Sequence, residues 1–172
     1  MPMISHSVSR PGTRLGRRLL FAAPLALMAG YSLTEHGLAQ NAEIPFQRSS
    51  LVVVTRGREL KFDVDLALND AQRSRGLMFR EKLGPYEGML FDFHQEAPVS
   101  FWMKNTLIPL DMVFIAADGT VRHVHPNAVP LSTDSIPSQF PVRAVLEING
   151  GSARLLGIKP GDKIKHPIFN NV

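Results

Sequence analysis

The chain has 172 residues, 44% hydrophobic and 20% charged, which suits one folded domain plus an extension because single cores span roughly 100–200 residues. A formal net charge of +4 and a pI of about 9.8 would suit nucleic acid or an anionic membrane, but the excess sits in residues 1–39, where Arg10, Arg14, Arg17 and Arg18 face only Glu35. The rest holds 15 basic and 14 acidic residues, scattered along the chain, which excludes the electrostatic footprint of a nucleic-acid binder, and the absence of cysteine excludes disulfides and thiol chemistry.

Arg14, Arg17 and Arg18 precede the apolar run Leu19–Ala29, and Gly37-Leu38-Ala39 offers a small-residue cleavage site, the three-part pattern of a secretory signal peptide. The run is broken by Pro24 and Gly30 and falls short of the ~20 apolar residues that span a bilayer. The expected organisation is a signal peptide over 1–39, a tether over 40–50 and a β-rich domain over 51–172. Cleavage near Ala39 would leave a periplasmic or secreted protein with no stable membrane anchor. Arg17-Arg18 leaves the choice between general secretion and the twin-arginine route open.

Leu51–Thr55 and Arg58–Leu68 read as two strands joined at Arg56-Gly57, a tight turn because glycine accepts positive φ. The second strand alternates, with Leu60, Phe62, Val64, Leu66 and Leu68 on one face, and a two-residue turn sets Val53 opposite Leu60 and Leu51 opposite Phe62. Asn69 or Asp70 can cap a short helix through Arg75, closed by Gly76. Arg73, Arg75 and Arg80 around Gly76-Leu77-Met78-Phe79 form either an anion site or a solvated face.

Met89–Phe93 and Val99–Lys104 follow as strands, then a loop over Asn105–Pro109 and an apolar central strand over Leu110–Ala116. Asp118-Gly119 is a hairpin signal joining it to Thr120–His125, and its register sets Phe114 opposite His123 and Met112 opposite His125. Asn127–Pro141 reads as a long irregular connection, and connections of that length are often functional. Arg143–Ile148 is a strand with Arg143, Val145 and Glu147 on one face; a short helix near Ser152–Leu156 and a last strand over Lys163–Phe169 end the chain. About eight short strands, two short helices and no βαβ alternation predict a mainly β fold, a single β-sandwich or jelly-roll-like barrel.

The motifs Arg75-Gly76-Leu77-Met78-Phe79-Arg80, Gly88-Met89-Leu90-Phe91, Phe101-Trp102-Met103-Lys104-Asn105-Thr106, Ile108-Pro109-Leu110-Asp111-Met112 and Val145-Leu146-Glu147 stand in that order. In this the chain resembles the family catalogued as domain of unknown function 192, over roughly Leu51–Phe169. The resemblance implies a compact β-rich domain of bacteria and archaea, often behind a signal peptide. It carries no reaction and no catalytic residues.

Function must then come from the residues. Val99–Gly119 holds the only Trp, and Lys104 and Asp111 lie within its apolar pattern. A charge buried without a partner costs several kcal/mol, so the two either pair or face a cavity. The expected role is a monomeric, non-enzymatic module, needing no cofactor, that binds a small polar ligand or an envelope partner through Trp102, Lys104, Asn105 and Asp111. Trp supplies a stacking face, and Lys and Asn supply donors. An alternative is an acid-base enzyme, a hydrolase acting on carbohydrate for instance, using Asp111, Glu147 and Lys104. In the bland reading Lys104 pairs with Asp111 and Arg143 with Glu147 to pin the sheet. A third reading places Cu(I) on Met112, His123 and His125, provided Met103 or Met89 joins them; methionine is more often a core gap-filler.

Overall fold

A computed structural model describes residues 44–172, and the leader and its cleavage site lie outside these described residues. The fold is mainly β, with nine strands and two α-helices among the described residues. β1 (Gln47–Thr55) and β2 (Arg58–Ala67) form the predicted hairpin, with Val53 opposite Leu60 and Leu51 opposite Phe62. Arg56 and Gly57 both take positive φ, 49° and 73°, as a two-residue primed turn requires. β1 starts at Gln47, inside the expected tether, because the backbone of Gln47–Ser50 pairs with Asp63–Leu66. Main-chain pairing of this kind leaves no trace in side-chain hydropathy.

After α1 (Asp70–Arg75), β3 (Glu87–Ala97) lies parallel to β2, so the β2–α1–β3 segment is a crossover unit that the pattern had not predicted. β4 (Ser100–Phe101) is only two residues long, shorter than the expected Val99–Lys104, since Lys104 and Asn105 form a turn and Asn105 takes a φ of 57°. β5 (Leu110–Ile115) and β6 (Val121–Ala128) make the next hairpin. The chain turns back over three residues, with Ala116 N–H donating to the Thr120 carbonyl at 2.9 Å, and a bulge at Arg122 restores the predicted pairs, Phe114 with His123 and Met112 with His125.

β7 (Ile136–Pro137) pairs with β4 inside the irregular connection. β8 (Val142–Asn149), α2 (Ser152–Leu156) and β9 (Lys163–Lys165) complete the chain. The expected last strand stops at Lys165 because Pro167 opens one turn of 3-10 helix, whose Ile168 N–H donates to His166 Nδ1 at 3.3 Å.

The main sheet runs β6-β5-β8-β3-β2-β1-β9. It curls until its ends meet: Thr120 bridges to Lys163, Val121 N–H donates to the Asp162 carbonyl at 2.9 Å, and Ile164 N–H donates to the Gly119 carbonyl at 2.8 Å. One apolar core fills the inside of the curl, including Leu51, Phe62, Leu90, Val113, Leu146 and Ile164. A second covers the outer face of β3, β5 and β8, where Met89, Phe91, Met112, Phe114 and Val145 meet Leu77, Met103 and Ile136. These central strands are therefore apolar on both faces, and every residue of β5 is buried. The layer that creates the second core, α1 with β4, β7 and their loops, also builds the cleft described next.

Candidate functional site

β8 alternates as predicted, with Ala144, Leu146 and Ile148 facing the inner core. The opposite face puts Glu147 between its register partners Met89 of β3 and Met112 of β5. The covering layer buries it to 4% exposure. Among the described residues its carboxyl has no hydrogen-bond or ion-pair partner, yet no side-chain polar atom there is both sealed and unpartnered. Glu147 lines a cleft of ≈370 Å³ between α1 and β4, walled by Phe91, Phe93, Phe101 and Trp102, and its carboxyl opens onto it. Phe101 packs edge-on to Phe91 and Phe93 at 5.1 and 6.2 Å, which fixes the aromatic wall. Burial pushes the Glu147 carboxyl up to about 8, so near neutrality it is mostly a neutral O–H donor.

The pairing of Glu147 with Arg143 does not occur. Arg143 reaches across to Asp92 on β3, at 3.2 and 3.3 Å, and Asp92 also accepts the His94 N–H at 2.8 Å. Asp111 lies elsewhere: Asp111 faces Ile148 in register while Glu147 faces Met112, so the two carboxyls point to opposite faces of the sheet. Asp111 is fully buried and takes the N–H groups of Asn127, Gly151 and Ala153 at 2.8, 2.9 and 2.7 Å. It thus caps α2, whose own N-cap, Gly151, has no side chain to do so. The Lys104–Asp111 pair is likewise absent, because Lys104 lies in an exposed turn with its ammonium 5.3 Å above the Trp102 ring.

Trp102, half exposed, lines the cleft, with Lys104 stacked on it. Asn105 acts through its backbone: its carbonyl accepts the Phe79 N–H at 2.8 Å, while its side-chain amide lies 3.9 Å from the Met78 sulfur. Of the predicted set, the structure brings Trp102 and Glu147 into one cleft, with Lys104 beside Trp102, and removes Asp111 from it.

The three arginines divide rather than converge. Arg80 pairs with Asp65 at 2.5 Å, and Arg73 donates to the carbonyls of Leu68 and Asp92 and to Asp70. Arg75 lines the cleft and lies 4.7 Å over Phe79, with no carboxylate partner among the described residues. The aromatic wall was missed because Phe91, Phe93 and Phe101 read simply as core positions, and only the fold shows that they border a space.

The proposed copper ligands are engaged in packing and side-chain contacts. Met89, Met103 and Met112 are packed in the outer core at 0–1% exposure, and His123 stacks on Phe114 at 5.6 Å and meets the Gln139 amide at 3.3 Å, while His125 lies opposite Met112. No group of three His, Cys, Asp or Glu residues among the described residues could hold a metal.

Fold and site define a small curled-sheet domain in which an aromatic-walled cleft stands over a buried carboxyl. The family it falls in is domain of unknown function 192, described as uncharacterized ACR, which matches residues 51–166, and the chain belongs to it. It is similar to a crystal structure of a candidate transcription regulator from Sinorhizobium meliloti 1021, with 45% identity over 74% of this chain and 99% of that one and a TM-score of 0.72. It is also similar to a protein of unknown function from Novosphingobium aromaticivorans DSM 12444, with 43% identity over 70% of this chain and 86% of that one and a TM-score of 0.69. No curated protein matches the chain.

Proposed function

We propose that this protein is an exported, monomeric binding module, not an enzyme, and that its cleft takes a small polar ligand. The observation that carries this reading is Glu147, a carboxyl 4% exposed with no partner among the described residues and opening into an aromatic-walled cleft. A carboxyl that no protein group engages, set in an apolar cleft, is a convergent polar group of the kind that orients a ligand's polar atom. An envelope protein remains the alternative partner, inserting a side chain into the same cleft.

A raised carboxyl in a cleft also favours a second reading, a general acid. Glycoside hydrolysis ordinarily uses a pair of carboxyls, and Asp111 lies on the other face of the sheet. The other carboxylate of the cleft, Asp70, is bound to Arg73. Binding therefore has the stronger support. The regulator assignment of the Sinorhizobium protein is not carried over as DNA binding, since the chain beyond residue 39 is near charge balance, with 15 basic and 14 acidic residues.

Trp102 is the only Trp in the chain and stands at the cleft, so its emission reports occupancy directly. Titration with anilinonaphthalene sulfonate, an aromatic anion, is expected to change Trp102 emission saturably at one site per molecule. Ser74→Phe, at an exposed α1 position lining the cleft, should weaken that site roughly tenfold, about 1.4 kcal/mol. Emission that never saturates, or binding unchanged in the variant, would sink the reading.

The export half rests on the leader pattern. Amino-terminal sequencing of periplasmic or secreted material is expected to begin at Gln40, and an intact Met1 on membrane-bound protein would refute it.

A further inference from the structure

The polar groups of the cleft are unevenly placed. The neighbours of Glu147 on β3 and β5 are Met89, Phe91 and Met112, none charged. From α1 the charged groups are Asp70, Arg73 and Arg75, of which Asp70 and Arg73 bind each other and Arg73 is further spent on two backbone carbonyls. Arg75 on Phe79 and Lys104 on Trp102 keep their charges without a carboxylate partner among the described residues. The cleft thus presents a carboxylic O–H in an apolar recess and one unneutralised cation, Arg75, in its lining, with Lys104 stacked on the wall residue Trp102. Its ≈370 Å³ lies at the small end of organic-ligand sites, roughly 300–1,000 Å³.

Resting on the binding reading above, we infer that the ligand is a small organic anion with an aromatic or branched apolar body and an uncharged oxygen at the end remote from its acid group. The oxygen accepts the Glu147 O–H, the body lies against Phe91, Phe93 and Phe101, and the acid group stays in water beside Arg75 and Lys104. This arrangement keeps the ligand's charge hydrated while its apolar part is buried. An amine of the same shape meets the unneutralised Arg75 and, near neutral pH, a floor that holds no negative charge. Burial keeps the Glu147 proton in place up to about pH 8, which makes the anion's affinity fall above that point.

Isothermal titration of the purified protein with three probes separates the possibilities: para-acetylbenzoate, para-isopropylbenzoate of the same shape without the acceptor, and benzyltrimethylammonium, a fixed cation. At about pH 6.5 the acetyl compound is expected to bind roughly tenfold tighter than the isopropyl compound, with the cation weakest. Its affinity should fall roughly tenfold by about pH 9.5 in the natural protein and stay level in Glu147→Gln, which keeps a donor but does not titrate. Equal binding of the two benzoates, or an equal pH response in Glu147→Gln, overturns the role of Glu147 as donor. Preference for the cation overturns the anion assignment while leaving the cleft a ligand site. If none of the three binds, the inference fails, and saturable anilinonaphthalene sulfonate binding decides separately whether the cleft reading stands.

Discussion

Asp111→Ala is expected to lower the unfolding free energy by about 3–5 kcal/mol, a large part of what a domain of this size possesses. The carboxylate is fully buried and accepts three backbone N–H groups from two separate segments, Asn127 at the end of β6 and Gly151 with Ala153 at the start of α2. Alanine leaves all three donors without an acceptor, and each unsatisfied buried donor costs about 1–3 kcal/mol, partly offset where water or backbone movement can reach it. Asp111→Asn should lie between the two proteins, because its amide oxygen can satisfy only part of the set. Urea unfolding followed by Trp102 emission measures the effect. A midpoint for Asp111→Ala within error of the natural protein would show that these bonds contribute little.

The second large effect is a pH dependence carried by Glu147. Its carboxyl is pushed by burial from an ordinary value of 4.5 to about 8 in the folded protein, so between these values the folded state keeps a proton that the unfolded state has released. The folded state then binds more protons, and stability falls as pH rises, by up to about 1.4 kcal/mol per pH unit. The contribution is complete below 4.5, is lost as pH rises to about 8, and is level above that. Other groups titrate in the same window, so the measurable quantity is the stability difference between the natural protein and Glu147→Gln. That difference should shift in favour of the glutamine variant by roughly 3–5 kcal/mol across the window. A difference independent of pH would mean that Glu147 is ionised and hydrated in the folded state.

What the sequence made legible was local. The hairpin at Arg56-Gly57, the alternation of β2 as far as Val64 and a cap for α1 at Asn69 or Asp70, which falls to Asn69, depend on neighbours a few residues apart, and the structure has them. The register of the β5–β6 hairpin is instructive because its central pairs are as predicted although the turn is not: a longer turn and a bulge cancel. The site was legible only in part. Glu147 and Trp102 stood out as polar or amphipathic residues in apolar surroundings, but their joining in one cleft depends on α1 and β4 being laid over β8. That is a long-range outcome of the parallel β2–β3 crossover. Asp111 was singled out for the right reason, a charge that needed partners, and paired wrongly, because backbone N–H groups at a glycine-capped helix leave no mark in a side-chain pattern. Arg143 and Glu147 stand four residues apart on one extended strand, about 13 Å, whereas Asp92 on the next strand lies within reach. The cross-strand choice left Glu147 alone.

The meeting of β9 with β1 and with the β5–β6 turn also bears on the order of folding. β1 and β9 are about a hundred residues apart, so their pairing has to overcome the loop-closure entropy of nearly the whole described domain. Long-range and parallel pairings place the domain among slow folders, on the order of milliseconds to seconds rather than microseconds. While Lys163–Lys165 has yet to be synthesised, the curl has one open side and the inner core lacks Ile164 and Phe169. Closure of the curl therefore lies with a three-residue strand, and without it both flanking edges and the inner core stay open.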